Sequence, residues 1–150
     1  MPEIFKRPFP GGELTLKFFG KELQARISGN GRKAMTKSTL LVERHIKLLM
    51  AESPRGGKEY MIGKGRRRRI HKASAPGEPP AVRLGFLSPR IRSATFQNPD
   101  GSVDGVVFAK VLYARFLELG TRVMGSRPAW VRALREKAQE IRDFFQKEGI

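Results

Sequence analysis

Apolar residues recur along this chain with two different periods, and the changes of period divide it into elements. Leu14-Thr15-Leu16-Lys17-Phe18 alternates apolar with polar, the two-residue repeat of a half-buried strand, broken by Phe19 and closed near Gly20. Residues 21–27 suit a short helix through Leu23 and Ile27, after which Ser28-Gly29-Asn30-Gly31 marks either a break or a new cap. Over residues 32–52 the positions Met35, Val42, Ile46 and Leu49, with Thr39 between them, advance by threes and fours, the spacing of one helical face. Lys33, Lys37, Arg44 and Lys47 fall on the other face, and Ser53-Pro54 followed by Gly56-Gly57 supplies the stop.

The region 55–89 cannot be one continuous element, because the run Arg66-Arg67-Arg68-Arg69 and the segment Ser74-Ala75-Pro76-Gly77-Glu78-Pro79-Pro80 interrupt it; within it lie residues 55–80. They read as an extended basic arm. Within it, residues 59–62 and 69–72 are expected to pair across Gly63-Lys64-Gly65, with the arginines near the tip. Residues 91–97 and 103–111 flank Asn98-Pro99-Asp100-Gly101-Ser102, whose Pro and Asp-Gly carry hairpin turn chemistry. In the second strand Val103, Gly105, Val107, Ala109 and Val111 share a parity, while Val106 and Phe108 face the other way. A last helix is predicted from Pro128, capped by Ser126 or Arg127 and burying Trp130, Leu134, Ile141 and Phe144 or Phe145. Arg132 with Glu136 and Asp143 with Lys147 sit four residues apart on it. The sum is an α+β fold in one domain over residues 1–150: a small antiparallel sheet, a long helix after its first strand, a C-terminal helix, and the arm.

Composition sharpens this picture chiefly through charge. Thirty Lys and Arg against 14 Asp and Glu give a formal net charge of +16, which favours a polyanionic or acidic-faced partner. The excess is uneven, with eleven basic residues against two acidic ones, Glu59 and Glu78, over residues 53–99. The absence of cysteine removes disulfides, thiolate metal sites and thiol nucleophiles together, and suits an intracellular protein. No apolar run approaches the roughly 20 residues that span a bilayer, and the N-terminus lacks the apolar stretch of a secretion signal, so a soluble protein is expected.

Candidate chemistry is sparse, and neither an enzyme, a metal nor a cofactor is expected. The two histidines, His45 and His71, lie far apart with no ligand spacing, and each reads as a structural or solvated side chain. Asp100 and Asp104 flank a turn where Asp serves backbone geometry. Glu118, set among Phe116, Leu117 and Leu119, is expected to be partly buried and to need a cation, for which Arg115, Arg122 and Arg127 are candidates. Gly63-Lys64-Gly65 lacks the remainder of a phosphate-binding loop. Arg55, Lys58, Lys64, Arg66, Arg67, Arg68, Arg69 and Lys72 form a basic footprint for a neighbouring subunit or for nucleic acid, without a recognition-helix pattern or a strip of stacking aromatics. Charge alone would favour a basic nucleic-acid-binding accessory protein; a small enzyme is a distant third.

A larger constellation surrounds Glu118. Leu112-Tyr113-Ala114-Arg115-Phe116-Leu117-Glu118-Leu119-Gly120-Thr121, then Arg127-Pro128-Ala129-Trp130, places one acid, a glycine and a Pro-started helix in a short span. Together with Lys72-Ala73-Ser74-Ala75-Pro76-Gly77-Glu78-Pro79-Pro80-Ala81-Val82, Gly85, Leu87 and Ile91, and the entry strand followed by Gly20 and Leu23, these residues resemble the small tailed-bacteriophage neck proteins of the head-tail joining and tail-completion class. The resemblance covers nearly the whole chain. It implies a virion structural protein, assembled in the host cytoplasm, that forms a homo-oligomeric ring, expected to be a hexamer, between head connector and tail tube. A tail-terminator or tail-completion role follows, with head-connector and tail-tube proteins as partners, no membrane, and non-specific contact with packaged DNA as a further expectation. Tyr113, Glu118, Gly120, Thr121, Arg127, Pro128 and Trp130 would be the structural motif, with Glu118 and Arg127 clamping the turn before the last helix and the arm reaching the next subunit.

Overall fold

A computed structural model describes residues 14–17, 29–82, 85–99 and 102–149. The expected helix at residues 21–27 and the turn residues Asp100 and Gly101 lie outside them. The fold is α+β. A three-stranded antiparallel sheet has the order β1 (Leu14–Lys17), β5 (Val103–Ala109), β4 (Ile91–Gln97), and a separate two-stranded ribbon pairs β2 (Glu59–Ile62) with β3 (Arg69–Lys72). Among the described residues three α-helices accompany them: α1 (Gly29–Ala51), α2 (Tyr113–Leu119) and α3 (Trp130–Lys147).

The central strand β5 is almost wholly buried because it is paired on both edges and covered by α1. Its parity is the expected one. Gly105 turns toward α1 so closely that a Cβ there would lie 2.4 Å from Thr39 Cγ2 and 2.6 Å from Met35 Sδ. The absence of a side chain at position 105 therefore sets how near the helix can approach the sheet. β5 ends at Ala109, two residues earlier than its apolar pattern suggests, and half-buried Val111 leads into α2. At the opposite end, the Asn98 N–H donates to Ser102 O at 2.9 Å and Asn98 Nδ2 donates to Ser102 Oγ at 2.8 Å, closing the β4–β5 connection.

Helix α1 buries Ala34, Met35, Ser38, Thr39, Val42, Ile46 and Met50, so the seam follows the predicted face but closes on Met50, with Leu49 only half-buried. It also begins three residues before the predicted start, taking in Gly29-Asn30-Gly31. Tertiary contact explains the extension: Asn30 Nδ2 donates to Glu148 O at 3.3 Å and Lys37 meets Glu148 Oε1 at 2.6 Å, tying the first turns of α1 to the end of α3.

Helix α3 packs against α1 and buries Trp130, Ala133, Ile141 and Phe145, with Leu134 and Phe144 half-buried. Trp130 is fully inaccessible, and its Nε1 has no hydrogen-bond partner among the described residues, so it packs there as an apolar filler. Arg132 and Glu136 form the expected pair at 2.8 Å. Asp143 does not pair with Lys147; its carboxylate accepts from Gln139 Nε2 at 3.0 Å, one turn earlier. His45, on α1, stands 2.6 Å from the same Glu136, and so joins the two helices as a structural side chain. Among the described residues no helix is long and apolar enough to cross a membrane.

Candidate functional site

The segment 112–130 folds as a short helix, a tight loop and the first turn of α3. Its organising contact is the Glu118 carboxylate. Glu118 is 5% exposed, and its Oε2 accepts the backbone N–H of Ala129 at 2.7 Å and of Trp130 at 3.2 Å, while Oε1 accepts that of Val131 at 2.9 Å. These are orphan donors at the start of α3, which the N-cap residue Ala129 has no side-chain group to satisfy. The acid is thus a cap reaching across from another helix, placed where the positive end of the α3 dipole favours a carboxylate.

This corrects two expectations. The α3 cap is neither Ser126 nor Arg127, because the helix starts at Trp130 and its first donors already have an acceptor. The Glu118–Arg127 clamp is likewise not formed. The Arg127 N–H donates to Leu117 O at 2.6 Å, and its guanidinium donates from Nε to Ser74 O at 3.1 Å and from Nη1 to Gly125 O at 3.4 Å. Arg127 therefore holds the base of the arm, and backbone N–H groups meet the need of the buried acid.

Gly120 makes the loop possible. Its φ is +76°, and a Cβ there would lie 2.8 Å from Met124 O. Beyond it, Thr121 closes a small turn: its N–H donates to Met124 O at 2.8 Å, and its Oγ1 accepts from Met124 N at 3.1 Å. Pro128 is half-buried just before α3.

The arm divides into two parts of different character. Residues 73–82 are docked: Ser74, Pro79 and Pro80 are buried, Gly77 N–H donates to Ser126 O at 2.8 Å, and Ser53 Oγ donates to Pro79 O at 2.8 Å. Glu78 accepts from Ala75 N at 2.7 Å and Gly56 N at 2.8 Å, and those backbone donors hold its carboxyl below the usual range. The projecting part is the β2–β3 ribbon, which pairs the two expected segments with Tyr60 opposite His71 and Met61 opposite Ile70, but its connection runs over residues 63–68, longer than the expected Gly63-Lys64-Gly65 turn because a turn of 3-10 helix sits in it. Lys58, Lys64, Arg66, Arg67, Arg68, Arg69 and Lys72 are all exposed on it, whereas Arg55 stands apart, before the ribbon, with a φ of +55°. Among the described residues none of the four consecutive guanidiniums meets a carboxylate.

Among the exposed apolar side chains of the described residues, two groups stand together. Met61 (63% exposed) and Ile70 (65%) face the same side of the ribbon. Leu112, Tyr113, Phe116 and Leu119 line the outer side of α2, while Ala114 and Glu118 point into the protein. Helix α2 is thus inverted relative to an ordinary amphipathic helix. The outward face of α2 is not among the expectations from sequence; its signal is Leu112, Phe116 and Leu119 at helical spacing opposite Ala114 and Glu118. Beside α2 lies an open apolar groove of about 440 Å³, with Val82, Phe86, Tyr113, Leu117 and Met124 among its lining residues. Among the described residues Arg127 and His71 are basic groups in its lining, and no carboxylate of the described residues lines it. Among the described residues no cluster of metal-binding type gathers.

Comparison with models of protein families, with curated protein sequences and with solved structures returns no match.

Proposed function

We propose that this chain is a virion structural protein that assembles into a closed ring, of hexamer size, at the head–tail junction of a long-tailed bacteriophage, in a tail-terminator or tail-completion role. The reading takes its identity from the resemblance of residues 71–91 and 112–130 to neck proteins. Its physical support is the inverted helix α2. A 150-residue chain that turns its acid inward and four large apolar side chains outward, and carries a second apolar patch on a projecting ribbon, has two distinct surfaces to cover. Two different patches on one subunit make a head-to-tail contact, and such contacts close into rings when the rotation allows.

Self-association of this kind needs no catalytic residue, and Tyr113, Glu118, Gly120, Thr121 and Trp130 then act by fixing the orientation of the α2 face. The test is the state of the purified chain across concentration, by light scattering and negative-stain electron microscopy. A closed ring of uniform subunit number supports the reading. A monomer at every concentration, with or without purified tails, overturns it. Deletion of residues 58–72 should leave a folded domain that fails to join heads to tails, and normal infectious particles from that deletion would equally contradict it.

A further inference from the structure

The ribbon tip has a geometry that the ring reading does not use. Over residues 58–72 seven Lys and Arg accompany one carboxylate, Glu59. The tip is an ordered turn: Gly65–Arg67 form one turn of 3-10 helix, with Arg67 N–H donating to Lys64 O at 3.2 Å and Arg68 N–H to Gly65 O at 3.3 Å. Successive side chains of a 3-10 turn diverge by about 120°, and successive side chains of an extended strand point to opposite faces. Arg66 and Arg67 stand in the first regime, Arg68 and Arg69 in the second. The four guanidiniums therefore surround the tip as a fan. They do not form a stripe along one face.

A fan of cations suits a partner that offers anions on both sides of an inserted element. A flat anionic membrane or an acidic protein patch meets only one side of it, and the tip sequence Gly63-Lys64-Gly65-Arg66-Arg67-Arg68 has no apolar residue to enter a bilayer. Single-stranded nucleic acid calls for successive aromatic platforms, and the ribbon carries one aromatic, Tyr60. The major groove of duplex DNA, about 12 Å wide, admits a two-stranded ribbon between two rows of phosphates. Arginine also matches phosphate through paired N–H donors.

We infer that the β2–β3 ribbon binds double-stranded DNA by inserting its tip between the phosphate rows of a groove, with Arg66, Arg67, Arg68 and Arg69 as the phosphate contacts. The contact reads charge and shape, so it is independent of base sequence. It does not require a ring, and a monomer has the whole site.

The experiment is fluorescence polarisation of a labelled duplex of about 24 base pairs, titrated with the full chain across salt concentrations, with light scattering on the same samples. Replacing Arg66, Arg67, Arg68 and Arg69 by Ser should weaken duplex binding about a hundredfold at low salt and lower the log–log salt slope by about 3 to 4. A control variant replacing Lys33, Arg44, Arg135 and Arg142 by Ser removes the same charge from exposed helical positions and should change affinity less than about fivefold. Circular dichroism checks that both variants fold. Equal losses in the two variants would reduce the effect to bulk charge and overturn the inference. So would tighter binding to the matching single strand, or arginine-dependent binding to vesicles of phosphatidylserine and phosphatidylcholine without binding to duplex. Duplex binding by a monomer would uphold this inference while the ring reading fails, and a ring that ignores DNA would do the reverse.

Discussion

Glu118 accepts the backbone N–H of Trp130 at 3.2 Å, and through that contact and its neighbours α2 sets the start of α3. Both carboxylate oxygens are engaged, so Glu118→Gln replaces an acceptor by an NH2 group facing backbone donors. The expected cost is about 1–3 kcal/mol, comparable to losing a buried cap, which for a chain of this size lowers Tm by roughly 3–10 °C. Because Arg127 contacts Ser74 and not the acid, a Glu118→Gln/Arg127→Ala cycle should be additive within about 0.5 kcal/mol. Thermal denaturation of the four proteins measures this, and strong coupling would restore the clamp.

Gly105 and Thr39 supply a second prediction. Gly105→Ala puts a methyl 2.4 Å from Thr39 Cγ2, and the β-branched side chain cannot swing away as the neighbouring Met35 can. Overpacking of this kind costs about 1–3 kcal/mol. Thr39→Ser removes the offending methyl and keeps the hydroxyl that donates to Thr36 O at 3.0 Å, so the double variant should recover at least about half of the loss. Denaturant melts of the single and double variants decide it; no recovery would place the strain elsewhere.

These two contacts mark the boundary of what the sequence makes legible. Periodicity and turn residues find α1, β4, β5, the two strands of the ribbon and α3 because each is a local signal. What they miss is set by partners distant in sequence. The extension of α1 through Gly29-Asn30-Gly31 depends on Glu148, more than a hundred residues away. The cap of α3 depends on an acid that local rules would pair with an arginine, and the docked half of the arm depends on Ser126 and Arg127. The outward face of α2 is spelled out in its spacing, yet an apolar stripe conventionally points to the core. Only burial of Glu118 on the opposite side reveals the inversion.

The α1–sheet contact should respond to acid. Burial alone would raise the Glu43 carboxyl, but hydrogen bonds from Lys47 at 2.5 Å and Ser93 at 2.7 Å, with the lysine's charge, outweigh it and hold the group below the usual glutamate range. A depressed folded value means that the group's contribution is present above the unfolded value and disappears as pH falls through the folded one. Glu43→Gln should therefore be less stable than the parent at neutral pH and converge with it in acid, as pH falls through the lowered folded value of the glutamate. Parallel urea melts across pH test this; a difference that persists unchanged into strong acid would assign the effect to packing.

The head-to-tail contact can be probed directly, since the chain contains no cysteine to interfere. If the Met61–Ile70 side of one ribbon covers the α2 face of the next copy, mixing Met61→Cys with Phe116→Cys should give mixed disulfide dimers in excess over either homodimer, because a bond forms only where Cα atoms come within about 7 Å. Both positions are exposed, so the substitutions spare the core. Each subunit carries +16, and Arg115 and Arg122 flank the α2 patch, so like-charge repulsion opposes this apolar contact. Salt screens that repulsion over about 10 Å at 0.1 M, and the mixed cross-link should grow as salt is raised. Duplex binding by the ribbon tip has the opposite salt dependence, which separates the two uses of the arm in one set of samples. Homodimers alone, or a mixed cross-link that fades with salt, would rule out the ribbon-to-α2 contact as the subunit joint.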